Sequence, residues 1–195
     1  MTDRLVPPGD GHTELSDEDR QGLIPTYIAT RGELFDAEER NIVRALRGRS
    51  PSIEELLDDA YLRRLHKRMF GRVWSWAGAY RLRETNIGIA PTQIPGAVRN
   101  LAADTRVWVE TGVFRPDELA ARFHHRLVYI HPFPNGNGRH GRIAADYLIL
   151  GLAAERFTWG ATLEIEAEEL RAKYVNALQQ ADDGDYAALI EFVRL

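Results

Sequence analysis

The twelve residues from 131 to 142 are dense in side chains that can do chemistry. The segment begins with His131, contains Gly136 and Gly138, and ends with Arg139 and Arg142. The two glycines let the backbone turn tightly and approach a ligand closely. A helix that begins near Gly138 would direct its unpaired N–H groups and the positive end of its dipole into that turn. The segment therefore predicts an anion-binding site.

The arginines and the histidine indicate which anion this is. Arg139 and Arg142 are three residues apart, so they share a helix face from which two guanidinium groups can bind phosphate oxygens. His131 lies on the other side of the turn, and an imidazole with an ordinary pKa of about 6.5 can accept a proton near neutrality. We predict a histidine base facing a polyphosphate. A plain glycine-rich helix connection is the competing interpretation, and the narrow combination of residues disfavours it.

Apolar stripes on both sides of the segment predict the helices that must position it. Apolar side chains recur at helical spacing from Leu119 to Ile130, directly before His131. They recur again from Ile143 to Leu150. This three- and four-residue spacing is typical of helices that bury one face. The chemical segment is therefore predicted to connect two core helices.

Helical patterns also dominate the rest of the chain. A stripe from Leu62 to Trp76 predicts a helix ending near Gly78, and His66 within it is interpreted as a surface or hydrogen-bonded structural histidine. Further helices are predicted from about Pro95 to Val107 and from Leu170 to Ala181. A last short helix ends the chain. The predicted fold class is all-α.

Local signals mark helix starts and one break in the helical pattern. Capping-box patterns at Asp36 with Glu39 and at Ser52 with Glu55 predict two helix starts. Residues 80–95 lose the helical period and alternate loosely, which predicts a small β-hairpin flap. Residues 1–15 are rich in proline, glycine and aspartate and are predicted to be a flexible N-terminal arm.

Composition excludes several classes of function. The 195 residues suffice for one domain with an ordinary core, and the lack of cysteine excludes disulfides, thiolate zinc sites and a cysteine nucleophile. A net charge of −4 disfavours nucleic acid and favours a protein or small-molecule partner. No stretch has the length of a membrane span, and the first residues lack the apolar core of a signal peptide. We expect a soluble, cytoplasmic protein with no nucleic-acid or membrane partner.

Residues 131–142 resemble the signature of the Fic family. That signature consists of His-Pro-Phe, two variable residues, Gly-Asn-Gly-Arg and a second Arg three residues later, and every fixed position is present. Residues Tyr61–Asn86, with Arg-Met-Phe-Gly, Trp-x-Trp-Ala-Gly and Tyr-Arg elements, are similar to the family's helix and flap. Asn135, the run Arg156–Gly160 and the N-terminal Gly-Leu-Ile-Pro segment look most like the subgroup called mobile mystery protein B. The resemblance implies one Fic-type helical domain at 16–195, with its core at about 56–195.

The resemblance also implies an activity. Fic proteins are protein adenylyltransferases, which transfer AMP from ATP to a Ser, Thr or Tyr hydroxyl of a target protein and release pyrophosphate. His131 would take the hydroxyl proton, and Phe133 would pack in the core and fix the loop. The implied phosphate-binding residues are Gly136, Asn137, Gly138, Arg139 and Arg142. Positioning and charge stabilisation, which these residues can supply, provide most of the catalysis in such reactions.

Two further sites follow from the resemblance. Leu178 and Asp182, with Tyr174 nearby, would line the adenine pocket, although ordinary helix packing is an equal alternative for the leucine and the tyrosine. A target segment would pair with the backbone of the flap by strand addition. The implied flap residues are Arg83, Glu84, Thr85, Asn86, Ile87, Gly88 and Ile89.

Asn135 departs from the family pattern. Most active members have Asp or Glu at this position, where the carboxylate binds the Mg²⁺ (or Mn²⁺) that bridges the nucleotide phosphates. An amide oxygen can coordinate Mg²⁺ but brings no negative charge. We therefore expect weaker metal affinity, a metal held largely by phosphates and water, or a different nucleotide donor.

The family's self-inhibitory signature is also missing. It consists of Ser or Thr, three residues, and then Glu followed by Gly or Asn, and its glutamate pairs with the second arginine. No glutamate in this chain precedes Gly or Asn. Three alternatives stay open: an antitoxin-like inhibitor protein, which is our hypothesis and would make the chain a toxin; a diverged segment at Thr30–Leu34 with Glu33; or no such regulation.

Two other classes of function compete with the transferase. The histidines at 124, 125, 131 and 140 could belong to a metal-dependent hydrolase, but adjacent His124 and His125 point about a hundred degrees apart on a helix and have no acidic partner at ligand-like spacing. A nucleotide-binding or interaction module that has lost turnover is the other alternative, and Asn135 favours it.

Overall fold

The computed structural model describes residues 16–195, and the predicted arm at 1–15 lies outside that part of the chain. The described residues contain nine α-helices and one 3₁₀ turn at Pro91–Gln93. The helices are α1 (Asp17–Gln21), α2 (Arg31–Ala45), α3 (Ile53–Leu56), α4 (Asp59–Phe70), α5 (Ile94–Thr111), α6 (Pro116–Ile130), α7 (Asn137–Gly151), α8 (Ala167–Asp182) and α9 (Ala187–Arg194). The all-α prediction is confirmed.

Helices α6 and α7 form the centre of the fold. They pack along each other, while α5 and α9 contact α6, α3 and α4 contact α7, and α2 lies on α4. The two central helices approach closely at Gly141, where an added Cβ would lie 3.0 Å from Val128 Cγ2. Residues 131–136 connect α6 to α7, so the connection is fixed by the best-packed pair of helices.

The capping signals identify one helix start and misplace another. Ser52 and Glu55 form the predicted capping box at the start of α3. The predicted start at Asp36 and Glu39 is wrong, because α2 begins at Arg31. Thr30 Oγ accepts the Glu33 N–H at 3.3 Å and Glu33 accepts the Thr30 N–H at 2.9 Å. The same spacing of residues occurs there six residues earlier, so α2 begins closer to the N-terminus than predicted.

The segment after α4 is not helical, so the helix predicted to end near Gly78 ends at Phe70. Its backbone pairs instead with residues 22–24. Ile24 N donates to Val73 O at 2.9 Å, Ser75 N donates to Gly22 O at 2.8 Å, and Leu23 bridges Trp74. These pairings fix Trp74, which is fully buried. Tertiary hydrogen bonds replace the last turns of the predicted helix.

The predicted β-hairpin does not form in the flap, residues 83–89, which lie in an irregular loop. The loop ends pair with residues 130–132 rather than with each other: Arg81 N donates to Pro132 O at 3.0 Å and Ile89 N to Ile130 O at 3.5 Å. The Arg81 guanidinium also donates to the Arg83 and Ile89 carbonyls. An arginine side chain thus takes acceptors that a partner strand would otherwise bind.

Among the residues that the structure describes, no helix combines the length and apolar character needed to cross a bilayer.

Candidate active site

His131 ends helix α6 in a left-handed backbone conformation, with φ of 53°. Non-glycine residues rarely adopt this region. The side chain is buried, with 4% of its surface exposed. Arg81 Nε donates to the His131 carbonyl at 2.7 Å. The break in the helix thus directs the imidazole toward the connection between α6 and α7. Arg81 fixes the backbone of His131.

Burial and, secondly, the positive charge of Arg81 lower the pKa of His131 to about 4, against an opposing hydrogen bond to the backbone of Val128. The imidazole is therefore neutral at physiological pH. A neutral imidazole in a dry site can accept a proton, which is what a general base requires.

The loop after His131 is held from inside by Phe133 and Asn137. Asn137 Oδ1 accepts the Phe133 N–H at 2.9 Å, and its Nδ2 donates to the Phe133 carbonyl at 2.7 Å. The Phe133 ring is fully buried and stacks on His66, with ring centroids 3.7 Å apart. His66 accepts the Gly78 N–H at Nδ1 and contacts the Asn135 carbonyl through Nε2 at 3.0 Å. The predicted structural role of His66 thus matches its contacts, and it lies beneath the site.

Gly136 forms the sharp turn into α7, with φ of 80°. An added Cβ would lie 2.6 Å from the Phe70 ring, so this position requires glycine for both conformation and space. At Gly138, by contrast, the nearest atom to an added Cβ is Tyr174 Oη at 3.9 Å. The first turn of α7 therefore presents its backbone to open space.

That open space is a cavity of about 590 Å³. It brings together most of the predicted site residues. Those that line it are His131, Asn135, Gly136, Asn137, Gly138, Arg139, Arg142, Leu178 and Asp182. From the flap only Ile87 and Gly88 reach it. The predicted catalytic base, the predicted phosphate-binding turn and the predicted adenine pocket thus share one cavity. The lining does not include Arg83, Glu84, Thr85, Asn86 or Ile89.

Gly88 brings the flap against His131, the first residue of segment 131–142. Its φ is 102°, and an added Cβ would lie 2.4 Å from His131 Cβ. Farther out, Arg83 forms an ion pair with the partly buried carboxylate of Asp19. The flap thus contacts two different parts of the chain: residues 130–131 at Gly88, and Asp19 through Arg83.

Glu38 on α2 is a site residue that the sequence interpretation missed. Its Oε2 lies 2.7 Å from Arg139 Nη1, and its Oε1 accepts the Trp74 indole N–H at 2.6 Å. Its side chain is only 5% exposed. Glu38 falls four residues after buried Leu34, so a carboxylate on the apolar stripe of α2 was the signal that could have identified it.

Glu33, the other candidate on α2, takes no part in the site. Its carboxylate accepts the N–H groups of Ala29 and Thr30 at 2.8 and 2.9 Å and caps the helix. Those hydrogen bonds lower its pKa. The residue does not line the cavity.

Arg142 lies over an aromatic floor. Its guanidinium carbon is 4.3 Å from the Tyr174 ring centroid and 5.8 Å from that of Trp159. Tyr174 Oη lies 2.8 Å from His124 Nε2. Stacking fixes the plane of the guanidinium and leaves its N–H edge for an oxygen ligand.

Asp182 also lines the cavity and is oriented by His125, which is in turn held by Tyr186. His125 Nε2 is 2.8 Å from Asp182 Oδ1, and His125 Nδ1 is 3.1 Å from Tyr186 Oη. The three side chains come from α8, α6 and the start of α9.

The four histidines proposed as a hydrolase metal site have separate partners. His124 contacts Tyr174, His125 contacts Asp182, and His140 Nε2 contacts the Leu62 carbonyl at 2.9 Å. Within residues 16–195, no three His, Cys, Asp or Glu side chains are grouped as metal ligands. The geometry gives the hydrolase no support.

Asn135 is the position at which the family resemblance places a metal. Its Oδ1 accepts the Gly136 N–H at 2.6 Å. Of the two carboxylates that line the cavity, Glu38 is bound to Arg139 and Trp74, and Asp182 is bound to His125. The residues present therefore do not fit a divalent cation held by protein carboxylates.

Comparison with known proteins identifies the family. A sequence model of the Fic/DOC family matches residues 56–149, which include α4, α5, α6, the connecting segment and most of α7. The chain carries a Fic/DOC family domain. The Drosophila melanogaster protein adenylyltransferase Fic is 29% identical over 182 residues, which is 89% of this chain and 35% of that protein. The Aedes aegypti protein of the same name is 29% identical over 133 residues, 66% of this chain and 25% of that protein. The chain thus spans only a quarter to a third of these relatives.

Solved structures share the fold. The N-terminal Fic domain of a putative cell filamentation protein from Bartonella quintana has a TM-score of 0.67 at 21% identity, covering 90% of this chain and 92% of that one. The BepC effector from Bartonella tribocorum, solved with bound AMPPNP, has a TM-score of 0.65 at 18% identity, covering 92% and 97%. The Fic-type helical fold extends over most of the chain. The resemblance to mobile mystery protein B stays a prediction.

Proposed function

We propose that this chain is a protein adenylyltransferase that transfers AMP from ATP to a Ser, Thr or Tyr hydroxyl of a target protein. The observation that carries the proposal is the shared cavity, in which neutral, buried His131 faces the start of α7 and two arginines. The Fic/DOC domain and the adenylyltransferase relatives support the same reaction.

His131 starts the reaction by taking the proton of the target hydroxyl. The hydroxyl oxygen then forms a bond to the α-phosphorus. The bond from that phosphorus to the oxygen that bridges the α- and β-phosphates breaks. Pyrophosphate leaves with the electron pair of that bond. The N–H groups at the start of α7 bind the negative charge that develops on the phosphate, and Arg139 and Arg142 bind the outer phosphates. His131 afterwards returns its proton to solvent.

The target segment and the adenine ring bind to different elements of the chain. The loop at 83–89 crosses next to the base at Gly88 and presents its backbone to a target segment, so that strand-like pairing can position the hydroxyl without reading much sequence. Leu178 and Asp182 of α8 also line the cavity, where they bind the adenine ring.

Two finer parts of the proposal concern the metal and regulation. Mg²⁺ or Mn²⁺ supplies charge neutralisation in such reactions, but Asn135 is not a carboxylate, so no step above depends on a bound ion. We also propose that an antitoxin-like protein controls the enzyme, because Glu33 caps α2 away from the cavity. An inactive purified protein that Glu33→Gly activates would contradict this control.

A nucleotide-binding module without turnover is the second candidate. The Glu38 carboxylate already occupies Arg139 and the Asn135 amide lacks the family's negative charge. Both features weaken phosphate positioning rather than the cavity itself, so this candidate predicts ATP binding without transfer.

Labelled ATP separates the two candidates. The purified protein is incubated with α-³²P ATP, Mg²⁺ or Mn²⁺ and a cell lysate, and labelled bands are compared with those from His131→Ala. The transferase requires bands that disappear in this variant. ATP binding with no labelled protein in any reaction would instead establish the module. An Arg47→Gln control, which removes an exposed arginine outside the cavity lining, should keep the labelling.

A further inference from the structure

The wall of the cavity carries more positive charge than the Fic motif supplies. Besides Arg139 and Arg142 of the motif, Arg31 from α2 and Arg171 from α8 line the same cavity. The lining contains two carboxylates, and both have partners. Glu38 binds Arg139 and the Trp74 indole, and Asp182 binds His125 at 2.8 Å.

Arg171 lies among other cations. It is half-buried on α8, one turn before Tyr174, whose ring faces the Arg142 guanidinium. Burial lowers the pKa of Arg171, and the positive charges of Arg142 and Arg31 lower it further. Cations brought together in a partly dry space repel each other, and an anion bound between them relieves that repulsion.

The charge needed to bind a triphosphate is therefore already present in the protein. In a nucleotide site that uses a divalent cation, the ion neutralises phosphate charge and is held by a carboxylate. Here that position is held by Asn135, so it carries no charge. Its amide oxygen accepts the Gly136 N–H. Two additional arginines line the cavity that this position faces.

We propose that the cavity binds the triphosphate of a nucleotide without a divalent cation, and that Arg171 and Arg31 are additional phosphate-binding residues that supply the missing positive charge. This inference rests on the proposed function, since it concerns the same nucleotide site. It makes the substrate the metal-free nucleoside triphosphate. It also assigns binding roles to two arginines outside the signature.

Calorimetric titration tests the proposal on the full chain. ATP and AMP are titrated in EDTA and, separately, in Mg²⁺. We expect the Kd for ATP to differ by less than about threefold between the two conditions. Arg171→Gln should weaken ATP binding about tenfold and AMP binding much less, because AMP lacks the outer phosphates. Arg31→Gln should have the same selectivity with a smaller effect, since this side chain is more exposed.

Two variants separate charge from structure. Arg171→Lys keeps the charge and should restore most of the ATP affinity, which a purely structural role of the guanidinium would not predict. Arg47→Gln removes an exposed arginine outside the cavity and should leave both Kd values unchanged.

The outcomes distinguish this inference from the proposed function. ATP binding that weakens about tenfold or more in EDTA would overturn the cation-free site while leaving the transferase intact. Equal loss of ATP and AMP affinity in Arg171→Gln, or no loss in either arginine variant, would overturn the assignment of these residues. No binding of ATP in either condition would overturn the nucleotide site and the proposed function together.

Discussion

At the residue scale, the site depends on a histidine in an unfavourable backbone conformation. The left-handed region costs a non-glycine residue about 1–2 kcal/mol, and surrounding contacts must offset that cost at His131. Arg81 provides one of them, because its guanidinium binds the His131 carbonyl while it also binds the carbonyls of Arg83 and Ile89. The same side chain supplies the positive charge that helps to keep the base neutral.

Replacing Arg81 should therefore change both the rate and its pH dependence. In Arg81→Gln the lost charge raises the pKa of His131 above its present value of about 4, so the acid limb of the rate moves to higher pH. Loss of the carbonyl contacts should lower kcat about tenfold or more. A pH profile of His131-dependent labelling measures both effects. Arg83→Gln, which changes the neighbouring flap arginine, should leave the acid limb in place; an unshifted limb in Arg81→Gln would refute the charge effect.

We expect Asn135 to determine how nucleotide binding responds to Mg²⁺. Asn135→Asp adds a carboxylate at the position where it accepts the Gly136 N–H, and a carboxylate next to the phosphates favours Mg²⁺. We expect ATP binding in this variant to become Mg²⁺-dependent, with a gain of about tenfold on adding the ion. Titration of Mg²⁺ at fixed ATP measures it, with exposed Asn176→Asp as the matched control. A variant with the same metal response as the wild type would count against our account of Asn135.

At the scale of elements, α2 couples the N-terminal part of the described chain to the site. It lies on α4, and its Glu38 crosses to Arg139 at the start of α7. The Trp74 indole holds the other carboxylate oxygen, and Trp74 is fixed by the pairing with residues 22–24. A nucleotide phosphate must compete with this carboxylate for Arg139.

Neutralising Glu38 should therefore strengthen nucleotide binding. Glu38→Gln keeps an oxygen for the Trp74 N–H but removes the charge that holds Arg139, so ATP should bind about tenfold more tightly. Calorimetry gives the affinity, and thermal unfolding checks that the fold is retained. The control is Glu39→Gln, which changes the exposed residue next to Glu38. Unchanged or weaker ATP binding in Glu38→Gln would mean that the pair does not oppose the nucleotide.

At the scale of the whole molecule, buried histidines make stability depend on pH. His66, His124 and His140 are fully buried, and His131 nearly so. Burial lowers the pKa of His66 well below its usual value, that of His124 to about 3, and those of His131 and His140 to about 4. These side chains fill the space around α6 and α7 as neutral groups.

Acid should therefore unfold the protein in a window set by these groups. Below about pH 6.5 the unfolded histidines bind protons that the folded ones do not, so the free energy of unfolding falls as the pH falls toward 4. The slope approaches about 1.4 kcal/mol per pH unit for each histidine. Tm measured from pH 7.5 to 4.5 should drop steeply below 6.5 and less steeply in His140→Gln. A flat Tm across this range would contradict the buried neutral state.

Sequence alone determined the all-α class, the helices that flank the signature, and the residues of the signature itself. Those features are local: apolar periodicity follows from one buried helix face, and the turn at Gly136 depends on residues next to it in the chain. The sequence could not separate the two capping patterns in α2, because Thr30 with Glu33 and Asp36 with Glu39 share one spacing. Nor could it foresee that Arg81 would bind carbonyls that a hairpin needs.

Only the tertiary structure decided what surrounds His131. Glu38, Arg31 and Arg171 lie far from the signature in sequence and reach its cavity because α2 lies on α4 and α8 lines the cavity with α7. The spacing of apolar residues does not predict which charged side chains come together from distant parts of the sequence. The same pattern of exposed residues is compatible with many arrangements of the helices. The charge of the cavity, and with it the role of Asn135, depends on contacts between helices that folding alone brings together.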